Sequence, residues 1–261
     1  MASSILLVAT LVAVSGLDDR PLIRFGANLS RGVLVNLSPD AHPGHPPDRS
    51  RPTVVFIHGF NPLPRTVHFT MTEQLAVSFA RRGGPRFNVL SWEWNAATFS
   101  GLSPRSNAQS TIRQGQRLAA ALREAGIEPS RTLLIGHSSG AIVAASAART
   151  ILVETGRMIA QLTLLDPALM YHDVVFGQLA AGSAARHVEN YWAPGLSGYG
   201  RQVGHAGVWN HRIDGPRPVL GMIFPRYSEH LNVVRWYLST VENPAYPGGF
   251  NQGLFHAESL R

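Results

Sequence analysis

The stretch from Arg131 to Arg149, RTLLIGHSSGAIVAASAAR, constrains the fold more than any other part of the chain. It opens on an apolar run, Thr132 to Ile135, short and bounded as a buried strand would be. It passes through Gly136-His137-Ser138-Ser139-Gly140 and continues as small residues, Ala141 to Arg149, that read as a helix. Strand, G-x-S-x-G and helix, in that order, make a sharp turn that holds its central serine in a strained conformation. The flanking glycines keep side chains from colliding where strand and helix meet. Ser138 is therefore the candidate nucleophile. A bare G-x-S-x-G recurs by chance in Gly/Ser-rich loops, so the weight rests on the strand before it and the helix after it.

The remaining elements alternate around this unit. Gly32 to Leu37 reads as a strand, and Thr53 to Ile57 as a fully apolar one that ends at His58-Gly59-Phe60. Helical spacing at Val67, Met71, Leu75 and Phe79 follows, then a strand from Arg86 to Trp92. A helix from Ser106 to Ala125 puts Ile112, Leu118, Ala119 and Leu122 on its inward side and closes at Gly126. Beyond the elbow, Ile159 to Leu165 and His187 to Trp192 read as strands, and Leu231 to Val241 as a C-terminal helix. Strands alternating with helices predict an α/β fold, a mostly parallel central sheet with helices on both faces. No repeat or linker divides residues 16–261, which are read as one domain. At 261 residues such a domain buries about three quarters of its unfolded surface.

Formal net charge is +7, yet every basic residue is arginine and none is lysine. The arginines are scattered, a compositional bias rather than a nucleic-acid footprint. A basic surface still attracts anionic headgroups, so transient contact with a lipid surface is expected. The absence of cysteine excludes disulfides, thiolate catalysis and Cys-ligated zinc. No H-E-x-x-H pair occurs either, so neither a metal nor a cofactor is expected. The apolar run Ile5 to Val14 is too short to span a bilayer. Ala13 and Ser15 have signal-peptidase spacing, so residues 1–15 are read as a signal peptide and the protein as secreted or periplasmic. Against this, no Lys or Arg precedes the run; an N-terminal core strand in a cytoplasmic protein is the alternative.

A serine hydroxyl is a poor nucleophile near neutral pH and needs a base, which in turn needs an orienting acid. Asp166 ends the strand after the elbow helix, on the sheet edge where Ser138 must lie. The competing reading is a helix cap, because Pro167 follows directly. Asp173 and Glu93 are weaker candidates. The histidines downstream of Asp166 are His172, His187, His205, His211, His230 and His256, and pattern alone leaves the base open among them. His230 stands at the start of the C-terminal helix, where a loop could deliver it to the sheet edge. An acyl-transfer site also needs N–H donors for the developing oxyanion. Ser139 supplies the first, and the second is assigned to Phe60 in the loop after Thr53–Ile57, with His58 read as a structural hydrogen-bonder.

FIHGF (Phe56 to Phe60), VLSW (Val89 to Trp92), IGHSSGA (Ile135 to Ala141) and LTLLDPA (Leu162 to Ala168) occur in this order. So do LSGYGRQVGHAGVWNHRIDG (Leu196 to Gly215) and SEHLNVVRWYLSTVENP (Ser228 to Pro244). Together they resemble the pancreatic-lipase family of triacylglycerol lipases and phospholipases A1, members of the α/β-hydrolase superfamily. The resemblance covers roughly residues 53 to 242. It implies an α/β-hydrolase fold, a catalytic Asp166, a catalytic His230 and a structural His205. Gly207 stands where the family usually has Asp. The family's stapling cysteines and C-terminal β-sandwich domain are missing, and only Asn210 to Ser228 is left for a short lid.

The expected activity is hydrolysis of carboxylic esters of lipids by a lipase, phospholipase A1 or esterase, through an acyl-enzyme on Ser138, His230 and Asp166. A non-lipid esterase or amidase on the same fold is the first alternative. A non-catalytic lipid-binding relative is the second, disfavoured because serine and histidine are both present.

Overall fold

Thr53–Ile57, Thr132–His137 and Ile159–Leu165 are buried at every position, as strands covered on both faces must be. The computed structural model describes residues 32–41, 46–59, 74–75, 77–79, 81–82, 86–94, 104–168, 173–194, 200–214 and 225–259. The strands form one seven-stranded sheet: β1 (Val33–Asn36), β2 (Thr53–Ile57), β3 (Asn88–Glu93), β4 (Thr132–His137), β5 (Ile159–Leu165), β6 (Ala185–Trp192) and β7 (Trp209–Arg212). Their order across the sheet is β1-β3-β2-β4-β5-β6-β7. Among the described residues, β1 alone runs antiparallel, against β3, and the other pairings are parallel. The expected mostly parallel sheet is what forms. The central place of β4 puts its C-terminal end, and the elbow, in the middle of the sheet edge.

Five helices have described bounds: α1 (Pro104–Glu124), α2 (Ser139–Thr155), α3 (Asp173–Gln178), α4 (Pro225–Glu242) and α5 (Leu254–Ser259). The apolar spacing of α1 turns Leu118, Ala119 and Leu122 inward. The helix stops at Gly126, whose φ of 71° only glycine adopts without strain. There the Gly126 N–H reaches Arg123 O and the Ile127 N–H reaches Leu122 O, both at 2.9 Å, the paired bonds of a Schellman cap. α2 packs against both the sheet and α1, and its small residues permit both contacts. A Cβ at Gly115 of α1 would collide with Ser146 of α2, whose Oγ donates to Ile112 O at 2.9 Å.

The sheet separates two cores. On one face Val55, Leu134, Leu162 and Val188 pack against α1 and α2 through Leu118, Ile142 and Val143. On the other, Val54, Leu133, Ile135 and Tyr191 meet Val233, Val234 and Tyr237 of α4 and Phe255 of α5. Each fully buried aliphatic side chain contributes roughly 1.5–3 kcal/mol by leaving water. Both faces of β4 are therefore clamped, which holds the turn at its end.

Several boundaries differ from the sequence reading. The C-terminal helix starts at Pro225 rather than at Leu231, because proline suits a first helical position, where no N–H is needed. His230 is therefore in its second turn. The expected lid, 210–228, begins inside β7 and ends inside α4, which leaves 213–224 between them, of which 215–224 lie outside the described residues. β7 shows no apolar alternation and is made by pairing with β6, with Trp209 exposed. α3 and α5 were not read from the sequence, being barely longer than one helical turn. Residues 1–15, with their signal-peptide reading, and Val67 and Met71 also lie outside the described residues. No helix among the described residues is long and apolar enough to cross a membrane.

Candidate active site

Ser138 follows the last residue of β4 with φ 54° and ψ −124°, a combination a non-glycine residue adopts at a cost of about 1–3 kcal/mol. Two backbone bonds hold it: Ser138 N–H to Leu165 O at 3.0 Å, and Ala141 N–H to Ser138 O at 3.1 Å. The glycines make room for the turn. A Cβ at Gly136 would lie 2.6 Å from the Ala141 Cα, and one at Gly140 would run into the Ile57 and His58 carbonyls. Ser139 opens α2, so its N–H is one of the four at a helix start that lack an intrahelical acceptor. The positive end of the α2 dipole adds to the attraction such an N–H exerts on negative charge.

The adjacent strand end carries Asp166. Its φ is 45°, a left-handed geometry that aspartate tolerates better than most residues, and its N–H bonds Tyr191 O at 2.8 Å. Residues 167 and 168 are not helical, so the side chain is not spent on a cap there. Oδ1 accepts the Ala193 N–H at 3.0 Å, and Oδ2 lies 2.5 Å from Nδ1 of His230. A Cβ at Gly200 would strike the carboxylate, so only glycine lets that backbone pass. Asp166 is 2% exposed and His230 8%, and a charge-assisted bond so shielded from water is strong. Because Nδ1–H faces the carboxylate, a neutral His230 carries no proton on Nε2, the nitrogen a general base uses.

The sequence matches the alpha/beta hydrolase family over residues 54–255, from β2 to α5. This chain belongs to the alpha/beta hydrolase family. No curated protein matches it. Among solved structures, a CIB-like hydrolase from Thermoplasma acidophilum aligns with a TM-score of 0.44 at 10% identity, covering 81% of this chain and 92% of that one. An esterase from Pyrobaculum calidifontis aligns at 0.43 and 15% identity, over 75% and 77%. An esterase from Thermogutta terrifontis aligns at 0.40 and 12%, over 83% and 90%. The family assignment rests on the sequence match, and the fold on the strand order above.

The other candidates in this alpha/beta hydrolase lie elsewhere. His187 bonds Glu189 at 2.8 Å on β6, and His211 stacks on Tyr191 with centroids 4.9 Å apart. The His205 ring packs against Gly177 of α3, where a Cβ would come within 2.9 Å of it. His256 lies edge-on to Phe250; burial, then the Arg82 charge, pull it below the ordinary imidazole range. Glu93 accepts the Ser91 hydroxyl and faces His58 at 3.7 Å. The His172 and Phe60 assignments and the Asp173 side chain lie outside the described residues.

His58 is tied to backbone on both ring nitrogens. Nδ1 meets Gly59 O at 2.7 Å, and the Trp94 N–H meets Nε2 at 3.2 Å. A carbonyl only accepts and an N–H only donates, so these two contacts place the proton of a neutral His58 on Nδ1. The Trp94 indole closes the arrangement by donating to His58 O at 3.1 Å. These bonds brace the segment beside Ser138, since a Cβ at Gly59 would sit 2.8 Å from the Ser138 Cβ. The sequence reading missed the roles of Trp94, Ala193 and Gly200. Nothing local in the sequence links any of the three to the site.

Proposed function

We propose that this protein is a serine hydrolase that cleaves carboxylic esters, with Ser138 as nucleophile, His230 as general base and acid, and Asp166 as the orienting acid. The observation that carries the reading is the 2.5 Å contact of Asp166 Oδ2 with His230 Nδ1, at the sheet edge where the elbow presents Ser138. The Ser138 Oγ attacks the ester carbonyl carbon while its proton passes to His230 Nε2. The carbonyl oxygen becomes an oxyanion, with the Ser139 N–H and the assigned Phe60 N–H as donors. Collapse of the tetrahedral intermediate breaks the ester C–O bond, and His230 returns the proton to the leaving alcohol. Water, deprotonated by His230, then releases the acid and restores Ser138. Asp166 stays ionised and stabilises the imidazolium in each half-reaction.

The ester is proposed to be that of a lipid. Supporting this are the family resemblance of the ordered motifs and an arginine-only basic complement that attracts anionic surfaces. The deciding measurement is hydrolysis of p-nitrophenyl esters of increasing acyl length, and of phosphatidylcholine labelled at one acyl position, by wild type and Ser138→Ala. Hydrolysis that rises with acyl length and vanishes in the variant is expected. A preference for acetate with no action on phospholipid would remove the lipid assignment, and equal rates in both proteins would remove the nucleophile.

A further inference from the structure

His137 takes no part in the chemistry proposed above, yet it touches the base. It is the last residue of β4 and only 1% exposed. Its ring lies against the His230 ring, with centroids 4.5 Å apart and planes inclined by 40°. Its Nε2 is 3.3 Å from the His230 carbonyl oxygen. A carbonyl can only accept, so this contact places the proton of a neutral His137 on Nε2. The opposite edge faces the segment after β2, where a Cβ at Gly59 would lie 3.3 Å from Nδ1. The side chain is thus lodged between that segment and α4.

We propose that His137 is a positioning residue for the base, holding His230 and its turn of α4 so that Nδ1 stays on Asp166. The inference rests on the Ser138–Asp166–His230 reading. A hydrogen bond to Asp166 fixes the distance of Nδ1 but does not by itself set the tilt of the imidazole. A contact on the ring face and a second on the backbone of the same residue set it. The contact also ties the base to the residue directly before Ser138, so nucleophile and base share one rigid reference, the end of β4. Misplacement of a reacting group by about 1 Å can cost on the order of 10² in rate.

The test compares wild type, His137→Phe and His137→Gln in steady-state hydrolysis of p-nitrophenyl butyrate, each normalised to active sites by fluorophosphonate titration. Phenylalanine keeps the ring contact and fills the space but cannot donate, whereas glutamine restores an N–H near the Nε2 position. The expected result is a kcat lowered on the order of 10²-fold in His137→Phe, with KM moved by less than about threefold. His137→Gln should recover about tenfold or more of that loss. A merely space-filling His137 would give the reverse order, because phenylalanine fills the site and glutamine does not. A His137→Phe kcat within about threefold of wild type, or a His137→Gln as slow as His137→Phe, overturns the proposal. Should His137→Phe not fold, His137→Leu is read against the same limits. Ser138→Ala and His230→Ala run alongside: wild-type turnover in either fails the triad reading itself, whereas their inactivity beside a fully active His137→Phe fails only the positioning role.

Discussion

The Gln161 carboxamide donates to the Glu189 carboxylate at 3.0 Å, joining two buried polar side chains on neighbouring strands. The same nitrogen meets Thr163 Oγ1 at 3.1 Å, and the carboxamide oxygen accepts the Phe255 N–H at 2.9 Å. Gly253 permits the approach, since a Cβ there would lie 2.6 Å from the carboxamide nitrogen. Buried polar groups are tolerated only when partnered, and here the partnering fastens α5 to the sheet. Gln161→Leu should therefore lower stability by about 1–3 kcal/mol for each group left unpaired, while turnover per folded molecule is kept. Thermal unfolding followed by circular dichroism checks this, and an unchanged midpoint would show that α5 is held by its apolar contacts alone.

Alkaline unfolding should be led by two phenols. Burial first, then the Glu189 charge, pushes Tyr191 and Tyr237 well above the ordinary phenol value of 10.0. Above that value the unfolded chain releases protons that the folded chain retains. Stability is then fully present below about pH 10 and falls as pH rises beyond it. Tyrosinate absorbance and far-ultraviolet circular dichroism, recorded together, should show these phenols ionising only as the fold is lost. Full ionisation of all six tyrosines in a protein with native dichroism would contradict the assignment.

Ser138→Ala should leave the fold intact and reduce turnover by on the order of 10⁶, because the members of a triad act as a unit. It should also relieve nothing in the backbone, since alanine meets the same φ of 54°. Labelling with a fluorophosphonate distinguishes the proteins: the wild type reacts, the variant does not. Equal labelling would move the nucleophile to another residue.

The histidines should separate cleanly. His230→Ala should lose about 10⁴-fold or more of turnover, with some loss of stability from the partner it removes from the buried Asp166 carboxylate. Asp166→Asn should lose on the order of 10⁴, because an amide imposes the wrong tautomer on His230. His205→Ala, whose ring packs on Gly177, should instead cost roughly 1–3 kcal/mol of stability and keep measurable turnover. Abolished turnover in a stably folded His205→Ala, with His230→Ala active, would reassign the base.

The elements that the chain announced were those whose causes are local. β2, β4 and β5 are continuous apolar runs, α1 carries its own spacing and its own glycine stop, and G-H-S-S-G needs only its neighbours to make a turn. Asp166 could be placed at a strand end for the same reason. The candidate base could not be chosen from the residues alone, because six histidines follow Asp166 and local pattern says nothing of reach. His230 was favoured by family resemblance. In space it meets Asp166 across 64 residues because α4 packs through Val233, Val234 and Tyr237 on the sheet face beside β5. β7 lay beyond local reading too, because four residues with an exposed tryptophan become a strand only when β6 offers its edge. Side chains at buried polar contacts, such as His137 on His230 and Gln161 on Phe255, answer to partners 93 and 94 residues away. Periodicity along the chain determined which segments are strands and helices. Which polar groups face one another was decided by tertiary packing, because burial makes each of them take whatever partner the fold brings within reach.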